Sequence, residues 1–131
     1  MSGGIAAPTE RAIQRAILKM AGVCFPRVWI TAIPNGAHLA GNQVARFKQA
    51  GALKGDGLKV GTPDLLCLWS AGQGCFIECK RPKTGKLSDA QRAVHARLEE
   101  IRWPVAVVTS VQQAFDYLRE CGAPWSGQPC P

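Results

Sequence analysis

The sequence predicts one α/β domain in which helices flank a mixed central sheet of about four strands. Three observations predict this class. Helical and strand periodicities alternate along the chain, two apolar runs are joined by a loop short enough for a hairpin, and a later strand lies between two helices with capping signals. The length of 131 residues suits a single hydrophobic core, so any chemistry must lie within that one fold.

The first part of the chain predicts a helix, a strand and a second, shorter helix. The first helix opens at Pro8 and Thr9 and ends near Gly22. Residues 28–33 are rich in β-branched and aromatic side chains and run into a Pro-Asn-Gly turn, which predicts a strand. Residues 42–50 predict the short helix.

The middle of the chain predicts a β-hairpin. Residues 53–63 are rich in glycine and must be irregular or tightly turned. They lead into an apolar strand over residues 64–69, which a loop over residues 70–74 joins to a returning strand over residues 75–80. The two strands of the hairpin are expected to pair in an antiparallel manner.

The last part of the chain predicts a helix, a strand and a helix. Ser88 and Gln91 form a capping-box pattern at the start of the first of these helices. The apolar face of that helix consists of Val94, Leu98 and Ile101. Residues 105–109 predict a buried strand, and a second capping pattern at Ser110 precedes the last helix, which Gly122 closes.

Both ends of the chain are expected to be flexible. Residues 1–7 are small and residues 122–131 are rich in Pro and Gly, which leaves a folded domain over residues 8–121. No run approaches the ~20 apolar residues of a membrane span, and no apolar run with a cleavage site opens the chain, so we expect a cytoplasmic protein. Its six cysteines are then expected in a reducing compartment, and Cys75 and Cys79 lack the CxxC pairs typical of zinc sites.

The charge of the chain favours a polyanionic partner. Lys and Arg number 16 against 9 Asp and Glu, which gives a formal charge of +7 and a pI near 9.4. Nucleic acid is the commonest partner of this kind. A basic surface that is merely solvated is the alternative, because net charge bears on association and not on fold.

Two acidic side chains and one basic side chain are predicted to converge at the hairpin. Alternation along the returning strand puts Glu78 and Lys80 on one face, and the pairing of the two strands brings Asp64 level with them. Close carboxylates repel unless a cation lies between them, and oxygen ligands suit Mg²⁺ or Mn²⁺. The alternative is that Glu78 and Lys80 are a surface pair and that Asp64 caps a turn after Pro63.

The same residues resemble a known nuclease pattern. Pro63-Asp64, followed after a hairpin by Glu78-Cys79-Lys80, is similar to the PD-(D/E)xK motif. A glycine-rich approach, the phrases GTPDLL and FIECKRPKTGKLSDAQ, and a glutamate on the first helix resemble the VRR-NUC branch of that superfamily, in particular its small stand-alone members from phages and bacteria. The resemblance extends from residue 10 to about residue 109 and implies a restriction-endonuclease-like fold with an αβββαβ core.

The resemblance also implies an active site. Asp64, Glu78 and the backbone carbonyl of Cys79 would bind the metal, and Lys80 would serve the attacking water. Gln91 would be an additional catalytic residue, and its capping role with Ser88 is an alternative that need not exclude the first.

Glu10 is implied as a further metal ligand, direct or through a water. An independent argument supports a role for it, because Glu10 shares one helical face with the apolar residues Ile13, Ile17 and Met20. The alternative is an ordinary first-turn glutamate favoured by the helix dipole. No role is assigned to His38 or His95.

Two groups of basic residues are candidates for DNA binding. The first follows the active strand and consists of Arg81, Lys83, Lys86 and Arg92. The second would form the opposite wall and consists of Arg46, Lys48, Lys54 and Lys59. Residues 35–59 are therefore the segment expected to grasp DNA, and solvated loops are the alternative for the first group.

The resulting hypothesis is a structure-specific, divalent-metal-dependent DNA endonuclease. The resemblance implies a Holliday-junction-resolving homodimer that acts with Mg²⁺ or Mn²⁺ in a bacterial or phage-infected cell. A flap, nicking or restriction-like nuclease would use the same residues equally well. A non-catalytic basic DNA-binding module and an RNA-directed nuclease are further alternatives.

Overall fold

The computed structural model describes residues 6–34 and 43–127, with the backbone alone for residues 43, 46, 47 and 50. The described helices are α1 (Glu10–Cys24), α2 (Gln43–Gly55), α3 (Asp89–Glu100) and α4 (Val111–Glu120), and the described strands are β1 (Trp29–Ala32), β2 (Leu65–Trp69), β3 (Gln73–Cys79) and β4 (Val105–Val108). The sheet order is β1-β2-β3-β4, with β4 parallel to β3 and the other pairs antiparallel. The predicted α/β fold with a mixed four-stranded sheet is confirmed.

Helices α1 and α4 pack on one face of the sheet and form the main core. Ile17 of α1 and Leu118 of α4 are fully buried together with Ile77 of β3. Phe25, just after α1, meets Phe115 of α4 edge to face with ring centroids 5.1 Å apart. Burial of each large apolar side chain stabilises the fold by about 1.5–3 kcal/mol, so this face anchors the sheet that carries the site.

Helix α3 covers part of the opposite face. Its buried residue is His95, whereas Val94 and Leu98 are half-buried. The predicted apolar face is therefore wrong in one member, because Ile101 follows the helix and is 48% exposed. A helix that covers only part of a sheet face needs only a narrow buried stripe, and here a polar side chain supplies it.

Side-chain caps fix where the helices begin. Thr9 accepts a hydrogen bond from the Ala12 N–H at the start of α1, and Ser110 accepts one from the Gln113 N–H at the start of α4. Helix α3 has the full capping box that the sequence predicts at Ser88. After α4, the positive φ of 88° at Gly122 lets the chain leave the helix, as predicted.

Several features of the elements differ from the prediction. Helix α2 continues to Gly55, because Leu53 and Lys54 are good helix formers and the chain leaves the helix only near Gly57, where φ is 109°. The hairpin loop is shorter than expected, since β3 already begins at Gln73. Strand β4 is an edge strand and is not wholly buried, since Val107 is 44% exposed.

The segment after α4 packs back onto the core. Ala123 is buried, and the Ser126 N–H donates to the Cys24 carbonyl across 2.9 Å. The predicted domain boundaries stay predictions. Cys67, Cys75, Cys79 and Cys121 are free thiols, whereas Cys24 is disulfide-bonded. Within residues 6–34 and 43–127, no helix is long and apolar enough to cross a bilayer.

Candidate active site

The β-hairpin holds Asp64 against the end of β3. Leu65 pairs with Ile77, so Asp64, one residue earlier, lies level with the end of the returning strand. The Cys79 N–H donates to Asp64 Oδ2 across 2.8 Å, and the Ile33 N–H donates to the Asp64 carbonyl across 2.8 Å. Asp64 is only 7% exposed, so one bond to its carboxylate and one to its main-chain carbonyl hold a largely buried residue in place.

Glu78 is the most deeply buried charged side chain among the described residues, with no exposed surface. Its Oε1 lies 3.0 Å from His95 Nε2, and its Oε2 is buried without a hydrogen-bond partner. Burial, the contact with the Asp64 carboxylate and the charge of Asp64 together raise the pKa of Glu78 to about 9, against the opposing charge of Lys80. A proton or a cation is therefore favoured beside this carboxylate.

Lys80 lies just beyond β3 and reaches the first turn of α1. The parallel ladder continues to it, because its N–H donates to the Val108 carbonyl across 2.9 Å. Its side chain is 9% exposed, and Nζ lies 3.5 Å from Glu10 Oε1, on a side chain that is 42% exposed. The predicted convergence of Asp64, Glu78, Lys80 and Glu10 is thus present in the fold, while their catalytic and metal-binding roles stay predictions.

His95 is the site residue that sequence reasoning missed. It is 8% exposed, and burial is the main reason why its pKa lies below the usual value. A signal was present, because Gln91, His95 and Leu98 follow the i, i+4, i+7 spacing of one helical face. Only the docking of α3 on the sheet reveals that this face meets Glu78.

Gln91 forms the capping box that was the alternative to its catalytic role. Its Oε1 accepts from the Ser88 N–H across 2.9 Å, and the Ser88 Oγ accepts from the Gln91 N–H across 3.1 Å. The cap is confirmed and the catalytic role stays a prediction. The two are chemically compatible, because the cap uses the amide oxygen and not the amide N–H groups.

The loop before Asp64 docks tightly on the start of α3. Gly61 has a φ of +94°, and a Cβ at this position would lie 2.4 Å from the carbonyl oxygen of Ala90. Since that neighbour is helix backbone, only a glycine allows the approach. Gly61 therefore holds the helix that carries His95 at a fixed distance from the loop that carries Asp64.

The predicted DNA-binding residues are mostly at the surface. Exposed side chains include Arg81, Lys83, Lys86, Arg92, Lys48, Lys54 and Lys59. Two of them already have partners, since Arg92 pairs with Asp89 at 2.8 Å and Arg81 donates to the Ala7 carbonyl at 3.4 Å. Residues 35–42 and the side chain of Arg46, which belong to the predicted DNA-grasping segment, lie outside the described part.

The donor atoms at the site fit a hard divalent cation. Glu78 Oε2 is a buried oxygen without a hydrogen-bond partner, and it lies on a carboxylate that contacts Asp64. The Cys79 side chain is buried in the core on the face of β3 opposite Glu78, so beside Glu78 this residue can offer a metal only its backbone carbonyl. Across the described residues no three His, Cys, Asp or Glu side chains form a metal-holding group, so waters would complete the shell.

Fold and site together define a nuclease domain of the PD-(D/E)xK type, with Asp64, Glu78 and Lys80 at the positions of its motif. The family model described as VRR-NUC domain matches residues 13–112. The chain therefore belongs to the VRR-NUC family. The match includes His95 and Gln91 and begins after Glu10. No curated protein and no solved structure matches the chain.

Proposed function

We propose that this chain is a divalent-metal-dependent endonuclease that hydrolyses DNA phosphodiester bonds, with Holliday junctions as its substrate and a homodimer as its working form. The observation that carries the metal dependence is the buried Oε2 of Glu78, which has no hydrogen-bond partner and whose carboxylate contacts that of Asp64. Two such carboxylates repel until a cation or a proton joins them.

Asp64, Glu78 and the Cys79 carbonyl would hold the ion. The N–H and C=O of a strand residue point to the same side, and the Cys79 N–H already donates to Asp64, so its carbonyl is expected on that side too. When bound, Mg²⁺ or Mn²⁺ would polarise the scissile phosphate and lower the pKa of a water. Glu10 is proposed to act through water, since its contact in the structure is with Lys80.

Lys80 and Gln91 would supply hydrogen-bond donors to the reaction. The Lys80 ammonium, nearly buried and flanked by acidic groups, would orient the attacking water and stabilise the negative charge that develops on the phosphate. The amide N–H groups of Gln91 are suited to a phosphate oxygen while the amide oxygen caps α3.

The basic side chains would bind the flanking phosphates. Arg81, Lys83 and Lys86 follow the active strand directly and are exposed, and Arg92 would have to leave Asp89 to join them. The other wall would consist of Lys48, Lys54, Lys59 and Arg46. The formal charge of +7 supports this polyanionic substrate over a cationic or neutral one.

The junction preference and the homodimer rest on the resemblance to small stand-alone members of the family. Resolution of a four-way junction requires two cuts, which a two-fold dimer with two equal sites can make. Light scattering on the free and junction-bound protein would measure the assembly. A single chain bound to the junction would contradict the dimer.

A substrate panel tests the activity. The full chain is incubated with four-way, flap, splayed and plain duplex DNA, and with a four-way RNA, in Mg²⁺ or in EDTA. We expect symmetric cuts in the four-way DNA, with 5′-phosphate ends, only when Mg²⁺ is present. Equal cutting of plain duplex would contradict the junction preference and would favour the restriction-like alternative.

The variant Lys80→Met separates an enzyme from a DNA-binding module. We expect the cleavage rate to fall about 100- to 1000-fold, because a donor to the developing charge is lost. Junction affinity measured with Ca²⁺ should stay close to wild type. The matched control is Lys19→Met on the exposed part of α1, which should cut at the wild-type rate. Unchanged cleavage by Lys80→Met would remove Lys80 from the mechanism.

A further inference from the structure

The buried histidine of α3 has no task in the reaction proposed above, although it touches the central carboxylate. His95 Nε2 lies 3.0 Å from Glu78 Oε1, and the exposed fractions of the two residues are 8% and 0%. His95 is also the buried residue of its helix. An apolar side chain at this position would fill the space equally well, but it would leave both oxygens of Glu78 without a donor.

The contact divides the two oxygens of Glu78 between two partners. Oε1 is held by His95, and Oε2, equally buried, has no hydrogen-bond partner. A carboxylate anchored through one oxygen cannot rotate freely about its last torsion, so the second oxygen keeps one direction. The Asp64 carboxylate lies in contact with Glu78, and a cation shared by the two is the partner that this direction suits.

The chemistry of an imidazole agrees with a donor role, and its Nε2 lies within hydrogen-bond distance of Glu78 Oε1. A neutral ring with its proton on Nε2 donates to Oε1, and a donated hydrogen bond favours the ionised carboxylate that a metal needs.

We propose that His95 is a positioning residue that donates from Nε2 to Glu78 Oε1 and so presents Glu78 Oε2 to the divalent cation. This inference rests on the proposed metal-dependent function. Partners of this kind, which hydrogen-bond a ligating side chain, typically change metal affinity about 10- to 100-fold when they are removed. The capping box and the close approach at Gly61 fix α3, and with it the direction of the imidazole.

A matched pair of variants tests the donor. His95→Gln keeps an N–H at about the reach of Nε2, whereas His95→Met has similar length and no donor. Mn²⁺ affinity of the full chain is measured by calorimetry without DNA, next to wild type and Glu78→Gln, and thermal unfolding checks the fold. Arg97→Gln on the exposed face of α3 is the control.

We expect His95→Met to bind Mn²⁺ about 10- to 100-fold more weakly than wild type, and His95→Gln to recover to within about 3-fold. The control should bind as wild type does. If His95→Met does not fold, His95→Asn takes its place, because its amide is too short to reach Glu78. His95→Asn should then bind Mn²⁺ as weakly as was expected for His95→Met, and His95→Gln should again recover. Spectra of ¹⁵N-labelled histidine should report the Nε2-protonated tautomer in the Mg²⁺-loaded protein.

The Mn²⁺ affinities distinguish failure of this inference from failure of the proposed function. Equal Mn²⁺ affinity of wild type and both members of the pair, all well above Glu78→Gln, would overturn the role of His95 alone. His95→Gln as weak as His95→Met would do the same. Wild type that binds no better than Glu78→Gln would overturn the metal-dependent function, and the role of His95 with it.

Discussion

The site contains two polar pairs, two residues apart on the same strand end, that have very different surroundings. The inner pair, Glu78 and His95, is sealed between sheet and helix, with a contact of 3.0 Å. The outer pair, Lys80 and Glu10, has a longer contact of 3.5 Å, and its Glu10 side chain is 42% exposed. The inner pair is thus suited to hold one carboxylate in one direction, and the outer pair can exchange partners when substrate arrives.

The comparison shows that the unfavourable electrostatic interaction lies at the inner pair. Burial and the neighbouring Asp64 carboxylate raise the pKa of Glu78 to about 9. A buried carboxylate beside another carboxylate costs stability that an enzyme tolerates for function. Removal of the Glu78 carboxylate should therefore alter stability and chemistry in opposite directions, whereas removal of the Glu10 carboxylate should alter chemistry a little and stability hardly at all.

The largest effect is expected for Glu78→Gln. The neutral amide cannot supply the charged oxygen ligand, so cleavage in Mg²⁺ should fall about 1000-fold, near the upper end for loss of one stabilising group. At the same time the metal-free variant should unfold at a higher temperature than wild type, because a buried carboxylate is removed. Activity and thermal unfolding measured on the same preparations check both signs. A Glu78→Gln protein that unfolds at a lower temperature than wild type would contradict the claim that the buried carboxylate destabilises the metal-free fold.

Gly61→Ala should loosen the inner pair and leave the outer pair in place. The added Cβ would lie 2.4 Å from the Ala90 carbonyl oxygen, at a φ of +94° that alanine disfavours, so α3 must move. We expect cleavage to fall about 10- to 100-fold, since displacement of positioned groups by about 1 Å has effects of this size. Gly22→Ala, with open space around its Cβ, is the control. Equal cleavage rates for Gly61→Ala and Gly22→Ala would show that the close approach of Gly61 to α3 does not position the site.

The metal-free protein should lose stability as the pH rises from 7 to 9. The pKa of Glu78 is about 9 in the folded chain and near 4.5 in the unfolded one. Between pH 7 and 9 the unfolded chain has therefore released this proton, whereas the folded chain still holds it, so a rise in pH favours the unfolded chain. The free energy of unfolding should fall by up to about 1.4 kcal/mol per pH unit through this group. Denaturant unfolding in EDTA at several pH values measures the slope. If the unfolding free energy of Glu78→Gln fell equally steeply with pH, the pH dependence could not be due to Glu78.

The smallest effect is expected at Glu10, the acidic member of the outer pair. Glu10→Gln removes a partly exposed ion pair worth at most about 1 kcal/mol, so the rate should fall no more than about 5-fold, with a weaker response to Mg²⁺. Stability should stay within error of wild type. Steady-state cleavage over a Mg²⁺ series measures the change. A loss as large as that of Glu78→Gln would mean that Glu10 binds the ion directly.

Much of the fold was accessible from local patterns. The capping box at Ser88, the hairpin and the strand alternation that places Glu78 on one face are properties of neighbouring residues, and each is present in the structure. The end of α2 was missed, because helix formers at residues 53 and 54 outweigh Gly51, which lies inside the helix.

The site was only partly accessible from the sequence, for a physical reason. Asp64 and Glu78 are brought together by a hairpin whose register follows from chain order. The contact of His95 with Glu78 depends on how α3 rotates and docks on the sheet, which the close approach at Gly61 sets. Helical periodicity favoured the apolar face that includes Ile101. Periodicity alone cannot show that a polar residue of the helix is buried because it contacts a buried carboxylate.

The most direct test of the account is the cutting of covalently closed circular DNA that carries an extruded cruciform. In Mg²⁺ the wild-type protein should linearise the circle at the cruciform, since a closed circle has no ends and only an endonuclease can open it. Glu78→Gln in Mg²⁺, and the wild type in EDTA, should leave the circle closed. Linearisation at the wild-type rate by Glu78→Gln, or cutting in EDTA, would contradict a metal-dependent endonuclease built on Glu78.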